Sequence, residues 1–324
     1  MTAASFRTIC GIAKETTSGT PVAASSFIPV TSMKNDLKTT YLADEGMRGS
    51  MVAAYDQLVG PQEGVIDLGG NVYADTLGFL LQSLLPDLVV TGSSAPYTSV
   101  FSAKNTSDGQ PTTYTVTDYD GVMTRQFPGT KLSELTLKWT ADGLLTFAAK
   151  GSSLAPVTTS APTPSFSAVR ANAAWASTLT VGGTVRATSN IPLDIELSFK
   201  RKVEVVNAID GTASPSFIWS GPLDVTGKVT TIFSDTTDYL NMVNNSQPAV
   251  VVGFTTGSGA TLTALSVQMS QAAFTAATPD RGKDYVTLAI DLAARANTTD
   301  IGASGGYSPA KVTLQNAIAS GTYA

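Results

Sequence analysis

The chain has 324 residues, of which 43% are hydrophobic and only 14% are charged, and its formal net charge is −5. It contains no histidine and one cysteine, which removes the commonest general base and metal ligand and any intrachain disulfide. Clustered Lys and Arg drive tight nucleic-acid binding, and the only compact basic run is Lys200-Arg201-Lys202. The composition therefore argues against an enzyme or a protein that binds DNA tightly, and it favours a β-rich structural protein.

No targeting segment is predicted at the start of the sequence. The first twenty residues include Arg7, Lys14 and Glu15 without a sustained apolar run, so no signal peptide is predicted. No stretch approaches 18 uninterrupted apolar residues, the length that a membrane-spanning helix needs. We expect a protein that is made in the cytoplasm and not secreted. Cys10 is expected to be a small buried hydrophobe.

The first predicted element is a two-stranded ribbon over about 45–70, in which Gly60-Pro61 supplies the turn. The segment DTLGFLLQSLL (75–85) follows, and its leucines recur at helical spacing. Asp75 stands where a side chain can cap the helix, and Pro86 stands where it would end. The residues assigned to this cap and apolar stripe are Asp75, Leu77, Leu80, Leu81 and Leu84.

Residues 88–130 are interpreted as an insert that contains a hairpin, TYTVTDYDGVMTRQF, turning at Asp120-Gly121. Two further strands, LSELTLKW and LLTFAAK, close the first half. The Pro-, Ser- and Thr-rich segment 152–168 then predicts an extended linker.

Four features of the first half recur in the same order after this linker. SFIPV corresponds to SNIPL, DLGG to DVTG, and the helix at Asp75 to a second helix at Asp235. The closing strands correspond to LTALSVQM and YVTLAID. Alternating strands resemble one another by chance, but collinear order is harder to obtain by accident. We therefore predict an internal duplication, with units at 1–151 and 169–324.

The second unit is predicted to contain a longer hairpin over about 193–226, turning near Asp210-Gly211, in which Ile195, Leu197 and Phe199 share one face. A helix at 235–244 follows. Its cap and stripe are assigned to Asp235, Tyr239, Leu240 and Val243. The segment AKVTLQNAIASGTYA alternates and predicts a strand at the C-terminal edge of a sheet.

Candidate chemical sites are few. Asp118 and Asp120 are compatible with a carboxylate pair or calcium loop, but Asp-Gly is also an ordinary turn. The basic run at 200–202 has three interpretations: lysines that protect an edge strand, cations that meet acids of a neighbouring subunit, or a solvated strand end. We predict no catalytic residue, no metal site and no cofactor.

With these elements in place, the sequence resembles the major tail tube proteins of long-tailed phages (siphoviruses), of the type found in phages of actinobacterial hosts. The resemblance is carried by GIAKETTSGTPVAASSFIPVTS, ADEGMRGS, GVIDLGGNVYADTLGFLLQSLL and SELTLKWTADGLLTFAAKG. These segments cover the first unit well, and the second unit only through its repeat. None is a catalytic motif.

The resemblance implies a mainly β fold: two tandem tail-tube-like β-sandwich or barrel units, each with one flanking helix and a long β-hairpin. Hairpins of neighbouring units would join into a β-barrel, and stacked rings would form a conduit for DNA ejection. Single-copy members form hexameric rings, so a duplicated chain is expected to form a trimer with pseudo-sixfold symmetry, with a hexamer as the alternative. The hairpin residues assigned to assembly are Met47, Met51, Ala53, Tyr55, Val65, Phe199, Lys200, Arg201, Lys202, Val203, Val205, Phe217 and Trp219.

The same resemblance implies partners other than a second copy: a tape-measure protein, the tail terminator, and baseplate or distal tail proteins. Viral DNA would pass without specific binding, and no membrane is involved. Assembly is expected in the host cytoplasm, and the product in the virion tail. A rival hypothesis is an adhesin-like or decoration module on a virion or cell surface. A carbohydrate-active enzyme is a weaker one, because it needs two carboxylates that face one cleft.

Overall fold

The computed structural model describes residues 4–323, and its architecture is mainly β, as predicted. The strands of the first half are β1 (Ile9–Lys14), β2 (Ser26–Ile28), β3 (Ser32–Met33), β4 (Asp36–Asp44), β5 (Asp56–Asn71), β6 (Asp87–Thr91), β7 (Tyr97–Ser102), β8 (Tyr114–Tyr119), β9 (Thr124–Thr140), β10 (Thr146–Ser153) and β11 (Val157–Thr159). Those of the second half are β12 (Ser177–Val181), β13 (Thr184–Val185), β14 (Pro192–Val206), β15 (Phe217–Ile232), β16 (Val250–Thr256), β17 (Thr263–Met269), β18 (Ala272–Asp280), β19 (Thr287–Ala294) and β20 (Lys311–Asn316). The helices are α1 (Leu77–Gln82) and α2 (Thr237–Val243), with short 3-10 turns at Ser5–Arg7, Ala174–Ala176 and Gly259–Thr261.

The larger of two antiparallel sheets has 13 strands, and its main path runs β18-β19-β15-β14-β9-β10-β5-β3. β4 continues β3 along the same side of β5. The path consists of two sets with the same internal order: β18, β19, β15 and β14, then β9, β10, β5 and β3/β4. Each set contains one long hairpin, β4·β5 or β14·β15. The two sets meet edge to edge at the β14·β9 ladder.

Local irregularities support the internal duplication. One register shift is common to both hairpins, between Thr39 and Tyr41 in the first and between Arg201 and Val203 in the second. A second bulge recurs as well, at Ser133 in β9·β10 and at Thr275 in β18·β19. In each, the hydroxyl of the bulged residue donates to a backbone oxygen of the partner strand, Lys150 O or Asp291 O, both at 3.2 Å. Bulges are specific features, and their recurrence at corresponding places makes chance similarity of strands a poor explanation.

The predicted turn at Gly60-Pro61 is not formed, because both residues lie inside β5. The first hairpin instead begins at β4, upstream of the predicted ribbon, and its tip is the loop 45–55. In the second hairpin Gly221-Pro222 occupies the corresponding place in β15, at the register shift. Proline lacks the N–H that a regular ladder uses, so a Gly-Pro pair suits a bulge as well as a turn.

The β18·β19 hairpin corresponds to β9·β10, which corrects one of the sequence correspondences. LTALSVQM forms β17, which lies in the other sheet between β16 and β20. The true counterpart of LSELTLKW is therefore β18. The β6·β7 hairpin, placed in the predicted insert, follows α1 as β16·β17 follows α2, which leaves the hairpin of β8 and the start of β9 as the additional part.

The smaller sheet has seven strands in the order β13-β12-β16-β17-β20-β7-β6 and draws on both halves. The C-terminal segment is not an edge strand, because β20 pairs with β17 on one side and β7 on the other. Val312 and Leu314 are fully buried there. This strand therefore connects the two halves in the second layer.

The two helices occupy opposite environments. Every residue of α1 is buried, including Leu77, Leu80 and Leu81, and Leu84 just after it. In α2 only Asp238 is buried, and Leu240 and Val243 are 44% and 55% exposed.

Neither helix is capped as predicted. Thr76 and Thr236 are the N-cap residues, and neither makes a side-chain cap bond. Asp75 lies one residue earlier, with a buried Oδ1 that has no hydrogen-bond partner. Asp235 accepts from the Thr237 N–H at 2.8 Å, which stabilises the start of α2 from outside the cap position.

The segment 152–168 packs on the first half. Val157 pairs with Gln126 through β11, and the Phe166 ring stacks edge-on against Phe27 with centroids 5.9 Å apart. In residues 4–323 no helix is long and apolar enough to span a membrane.

Candidate assembly surfaces

The larger sheet has open backbone edges at the two ends of its main path. β18 pairs only with β19, and β4 pairs only with β5. The N–H and C=O groups on the outer sides of these strands have no ladder partner among the described strands. A long unpaired edge is a template for another strand, so these edges are the first candidate surface.

The hairpin tips form the second candidate surface. In the first tip, Met47 and Met51 are completely exposed and Val52 is 59% exposed. In the second tip, Ile209 is completely exposed. Large apolar side chains held away from the body of a protein mark interaction sites.

The second tip already contacts the first hairpin within the same chain. Gln62 N–H donates to Ala213 O at 2.7 Å, and Ala155 N–H donates to the Ser214 hydroxyl at 3.2 Å. The internal junction therefore has two parts, the β14·β9 ladder and this contact at the tip. The first tip has no counterpart for it in the described chain.

The residues assigned to assembly fall into three environments. Met47, Met51 and Ala53 lie in the exposed first tip, next to Tyr55, whose hydroxyl is 2.6 Å from the Ser50 hydroxyl. Val65 lies in β5 and is 36% exposed. The remaining residues lie in β14 and β15: Phe199 is fully buried, Val203 and Val205 are half-buried, and Phe217 and Trp219 are 51% and 43% exposed.

The basic run does not lie on an edge strand, because β14 pairs with β15 and β9. Lys200 Nζ contacts Glu134 Oε1 of the same chain at 3.1 Å, and Lys202 Nζ is 3.6 Å from Glu204 Oε2. Arg201 points the other way and is buried, which lowers its pKa to about 10. Alternation within the strand thus divides three adjacent cations between two faces.

Arg201 lies beside a second buried cation that the sequence did not single out. Lys131 donates to Gln110 Oε1 at 2.7 Å, and Gln110 Oε1 also accepts from Ser220 N–H at 3.0 Å. Burial lowers the pKa of Lys131 to about 8; the nearby Arg201 also lowers it, while Asp108 opposes the shift. Nothing in the spacing of these residues signalled the cluster, because they come from three distant segments.

The exposed face of the larger sheet carries two rows of alternating charge. One row crosses four strands through directly paired residues: Asp291, Lys228, Glu196 and Lys138. The other crosses five strands: Asp224, Lys200, Glu134, Lys150 and Asp67. Both rows pass over the β14·β9 junction without interruption. Opposite charges directly across a ladder stabilise it, so the rows favour this register of the strands.

The acidic pair at the β8·β9 turn is structural. Asp120 Oδ1 accepts from the N–H groups of Val122 and Met123 at 2.8 Å, and these bonds lower its pKa. Asp118 is buried, which raises its pKa, and the Arg125 guanidinium 3.4 Å away opposes that shift. Across residues 4–323 no group of three or more His, Cys, Asp or Glu side chains is arranged to hold a metal ion.

Tyr323, which no sequence pattern singled out, holds α1 in place. The Tyr323 ring packs against Phe79 with centroids 5.0 Å apart, and its hydroxyl donates to Asp75 O at 2.8 Å. Tyr114 donates to Tyr323 O at 2.5 Å. Tyr323 lies far from the helix in sequence, so no local pattern links them.

Comparison with known proteins agrees with this architecture. The profile of the family described as phage tail tube protein matches residues 5–296, which is most of the chain. The comparison with curated proteins returns no match. The family match confirms the resemblance that was stated from the sequence, and it points to a structural protein without enzymatic activity. The chain therefore belongs to the phage tail tube protein family and is a structural component of the virion tail.

Proposed function

We propose that copies of this chain close into rings, and that the rings stack into the tube through which viral DNA leaves. The observation that carries this proposal is the β14·β9 junction, where two copies of one structural unit are joined edge to edge inside a single chain. The chain presents an open β18 edge at the end of its second unit and an open β3/β4 edge at the end of its first unit. Repeating the junction between chains uses both edges.

Closure has a clear physical advantage. Two different edges that meet head to tail make a heterologous contact, and such a contact closes into a ring when its rotation fits. A closed barrel has no edges, so every backbone N–H and C=O group of the ladder finds a partner. An isolated subunit, by contrast, keeps two templates for aggregation.

The duplication determines the number of chains that we propose. If six units complete a ring, as in single-copy members of the family, three chains suffice and the ring has pseudo-sixfold symmetry. A ring of six chains would contain twelve units and a much wider barrel, because barrel diameter grows with strand number.

The polar face of the larger sheet suits a channel for DNA. Lysines retain phosphates and make binding salt-dependent. On this face Lys138, Lys150 and Lys228 each lie directly opposite a carboxylate, so their charge is compensated locally. We propose that this face lines the lumen and lets DNA slide. Other tail proteins complete the assembly in this proposal: a tape-measure protein inside the tube and terminator and baseplate proteins at its ends, all brought together in the host cytoplasm.

Negative-stain electron microscopy of the purified protein tests the proposal. We expect rings or tubes whose averages improve more under threefold than under sixfold symmetry, and native mass spectrometry should report trimers as the smallest closed species. Monodisperse monomers at high concentration would contradict it and would favour the adhesin-like or decoration alternative.

A further inference from the structure

We infer that the contact between chains is a β-ladder between the β3/β4 edge of one copy and β18 of the next, in the register that sets Lys34 opposite Asp280. This inference rests on the proposed ring. It goes further because it specifies the residue pairs, and it predicts that the charges at one position are reversed relative to the internal junction.

The template is the junction inside the chain. Glu196 of β14 lies directly opposite Lys138 of β9, and the Ser198 and Thr136 hydroxyls are 2.8 Å apart one step along. Ala141 N–H donates to Leu193 O, so backbone groups of alternate β9 residues point to β14, and Lys138 belongs to the set that points to β10. The Glu196–Lys138 pair is therefore a non-hydrogen-bonded pair, in which side chains are closest.

Lys34 occupies the place of Glu196 in the first unit. Glu196 is opposite Lys228 in β15, and the Lys34 N–H donates to the O of Asp67 in β5 at 2.9 Å. Asp67 and Lys228 lie at the same distance from the Gly-Pro bulge of their strands.

Asp280 occupies the place of Lys138 by the same argument. Asp280 is opposite Thr287, the first residue of β19, and Lys138 is opposite Thr146, the first residue of β10. Each unit therefore supplies one member of the equivalent pair.

Transferring the internal register to the open edges gives complementary pairs. Lys34 faces Asp280 of a second copy, which reproduces the Glu196–Lys138 pair with both signs reversed. Asp36 faces Thr278, which replaces the Ser198–Thr136 contact with a hydroxyl facing a carboxylate. Lys34 and Asp280 are both exposed, and neither is in an ion pair with any residue in 4–323.

Charge also discriminates against a neighbouring register. Sliding the ladder by two residues in one direction would set Asp36 opposite Asp280, and like charges directly across a ladder are destabilising. A slip of one residue is excluded more strongly, because it would turn the apolar face outward.

Two features of the open edges make side-chain pairs more important here than inside the chain. The nitrogen of Pro279 faces the open side of β18. Phe233 N–H donates to Val286 O, so alternate residues of β19 point to β15, and Leu288, which lies opposite Pro279, belongs to that set. The Asn35 carbonyl already accepts from Arg125 at 3.1 Å, and its side-chain oxygen accepts from Asp67 N–H at 3.1 Å. The ladder between chains thus has fewer backbone bonds than β14·β9 and is a poor template for unrelated strands.

Disulfide trapping tests the register directly. The Lys34→Cys/Asp280→Cys variant should give chains linked to one another, seen as a ladder of bands on a non-reducing denaturing gel after mild oxidation. The Lys138→Cys/Glu196→Cys variant is the matched positive control and should link within one chain whether or not rings form. Native Cys10 will not compete, because burial raises the pKa of its thiol to about 12.

The Asp36→Cys/Asp280→Cys variant is the off-register control and should remain unlinked. If it links faster than the first variant, or if tubes form and the first variant does not link, the inferred register is wrong while the proposed function stands. If the unmodified protein forms neither rings nor tubes, the proposed function itself fails.

Charge reversal provides a second test without cysteines. Lys34→Asp and Asp280→Lys should each raise the critical concentration for assembly about fivefold, the size expected for loss of one cross-strand charge pair. Both substitutions together should restore assembly, because the double variant has the signs of the internal pair. Thermal midpoints of the monomers should not change, since both side chains are exposed. Additive losses in the double variant would overturn the pairing.

Discussion

The two long hairpins share one bulge with a Gly-Pro pair, yet their surroundings differ. The second hairpin is enclosed by its own chain, with β19 on one side and β9 on the other, and its tip contacts Gln62. The first hairpin has β10 on one side and an open edge on the other, and its tip carries fully exposed Met47 and Met51. One structural unit thus appears once in a completed junction and once in an unfinished one, which indicates what the missing neighbour must provide.

The largest effect is expected from removing the unfinished tip. Replacing residues 46–54 with an Asn-Gly turn should abolish tubes in electron micrographs, because the exposed apolar residues there are a candidate surface for contact with a second copy. The monomer should keep its thermal midpoint, since this loop packs little on its own chain.

The matched control is a shortened second tip, with residues 208–214 replaced in the same way. This change removes the contacts of Ala213 and Ser214 within the chain, so it should lower the thermal midpoint. Tubes of normal length from the first variant would show that the tip has no part in assembly.

The helices offer the next comparison, between Leu80 in α1 and Leu240 in α2, each the fourth residue of its helix. Leu80→Ala should lower the free energy of unfolding by about 2–5 kcal/mol, because it opens a cavity in a closed core. Leu240→Ala should cost less than about 1 kcal/mol in the monomer, since Leu240 is 44% exposed. Urea unfolding measures both, and equal losses would mean that α2 is covered in solution.

A smaller effect is expected at Gly78, the second residue of α1. A Cβ atom there would lie 2.3 Å from the Tyr323 ring, so Gly78→Ala should cost about 1–3 kcal/mol through overpacking. Gly143→Ala is the control, because its nearest neighbours would be 3.6 Å away, and it should stay within about 0.5 kcal/mol of the parent. A neutral Gly78→Ala would show that Tyr323 can move away from α1.

The smallest effect is the pH dependence of stability that Lys131 should cause. Lys131 lies in β9, and the corresponding residue of β18 is Ala273. Because its pKa is about 8 when folded and 10.5 as a free side chain, the unfolded chain binds more protons between these values. Stability should therefore rise with pH in that window.

The measurement compares the parent with Lys131→Met between pH 7.5 and 9.5. The parent should gain on the order of 1 kcal/mol relative to the variant as pH rises. Burial raises the pKa values of Tyr114 and Tyr323, so their ionisation destabilises the protein only at higher pH and does not interfere in this range. If the difference in unfolding free energy between the two proteins does not change with pH, burial does not lower the pKa of Lys131.

Several features were predictable from sequence because they depend on neighbours along the chain. Alternation assigned Ile195, Leu197 and Phe199 to one buried face, and they are 5%, 0% and 0% exposed. Leucines at helical spacing located α1, and alternating segments indicated a mainly β protein. Local rules of periodicity suffice for such features.

Other features depend on which distant strands become neighbours, and the sequence left them open or misassigned them. A Gly-Pro pair is compatible with a turn or a bulge, and only pairing with β4 placed Gly60-Pro61 inside a strand. An edge strand was one of three interpretations of the basic run, and pairing with β9 and β15 on both sides of β14 excluded it. Tyr323 locks α1 across almost the whole length of the chain.

By itself, then, the sequence determined many of the elements and the faces of its strands, because each follows from spacing between nearby residues, and the order of these elements predicted the repetition of one unit. Only the tertiary structure decided that β18, not β17, corresponds to β9, that the two units share one sheet, and which edges stay open. Backbone hydrogen bonds between strands carry almost no local sequence information, so strand order and register emerge only when the whole chain is folded.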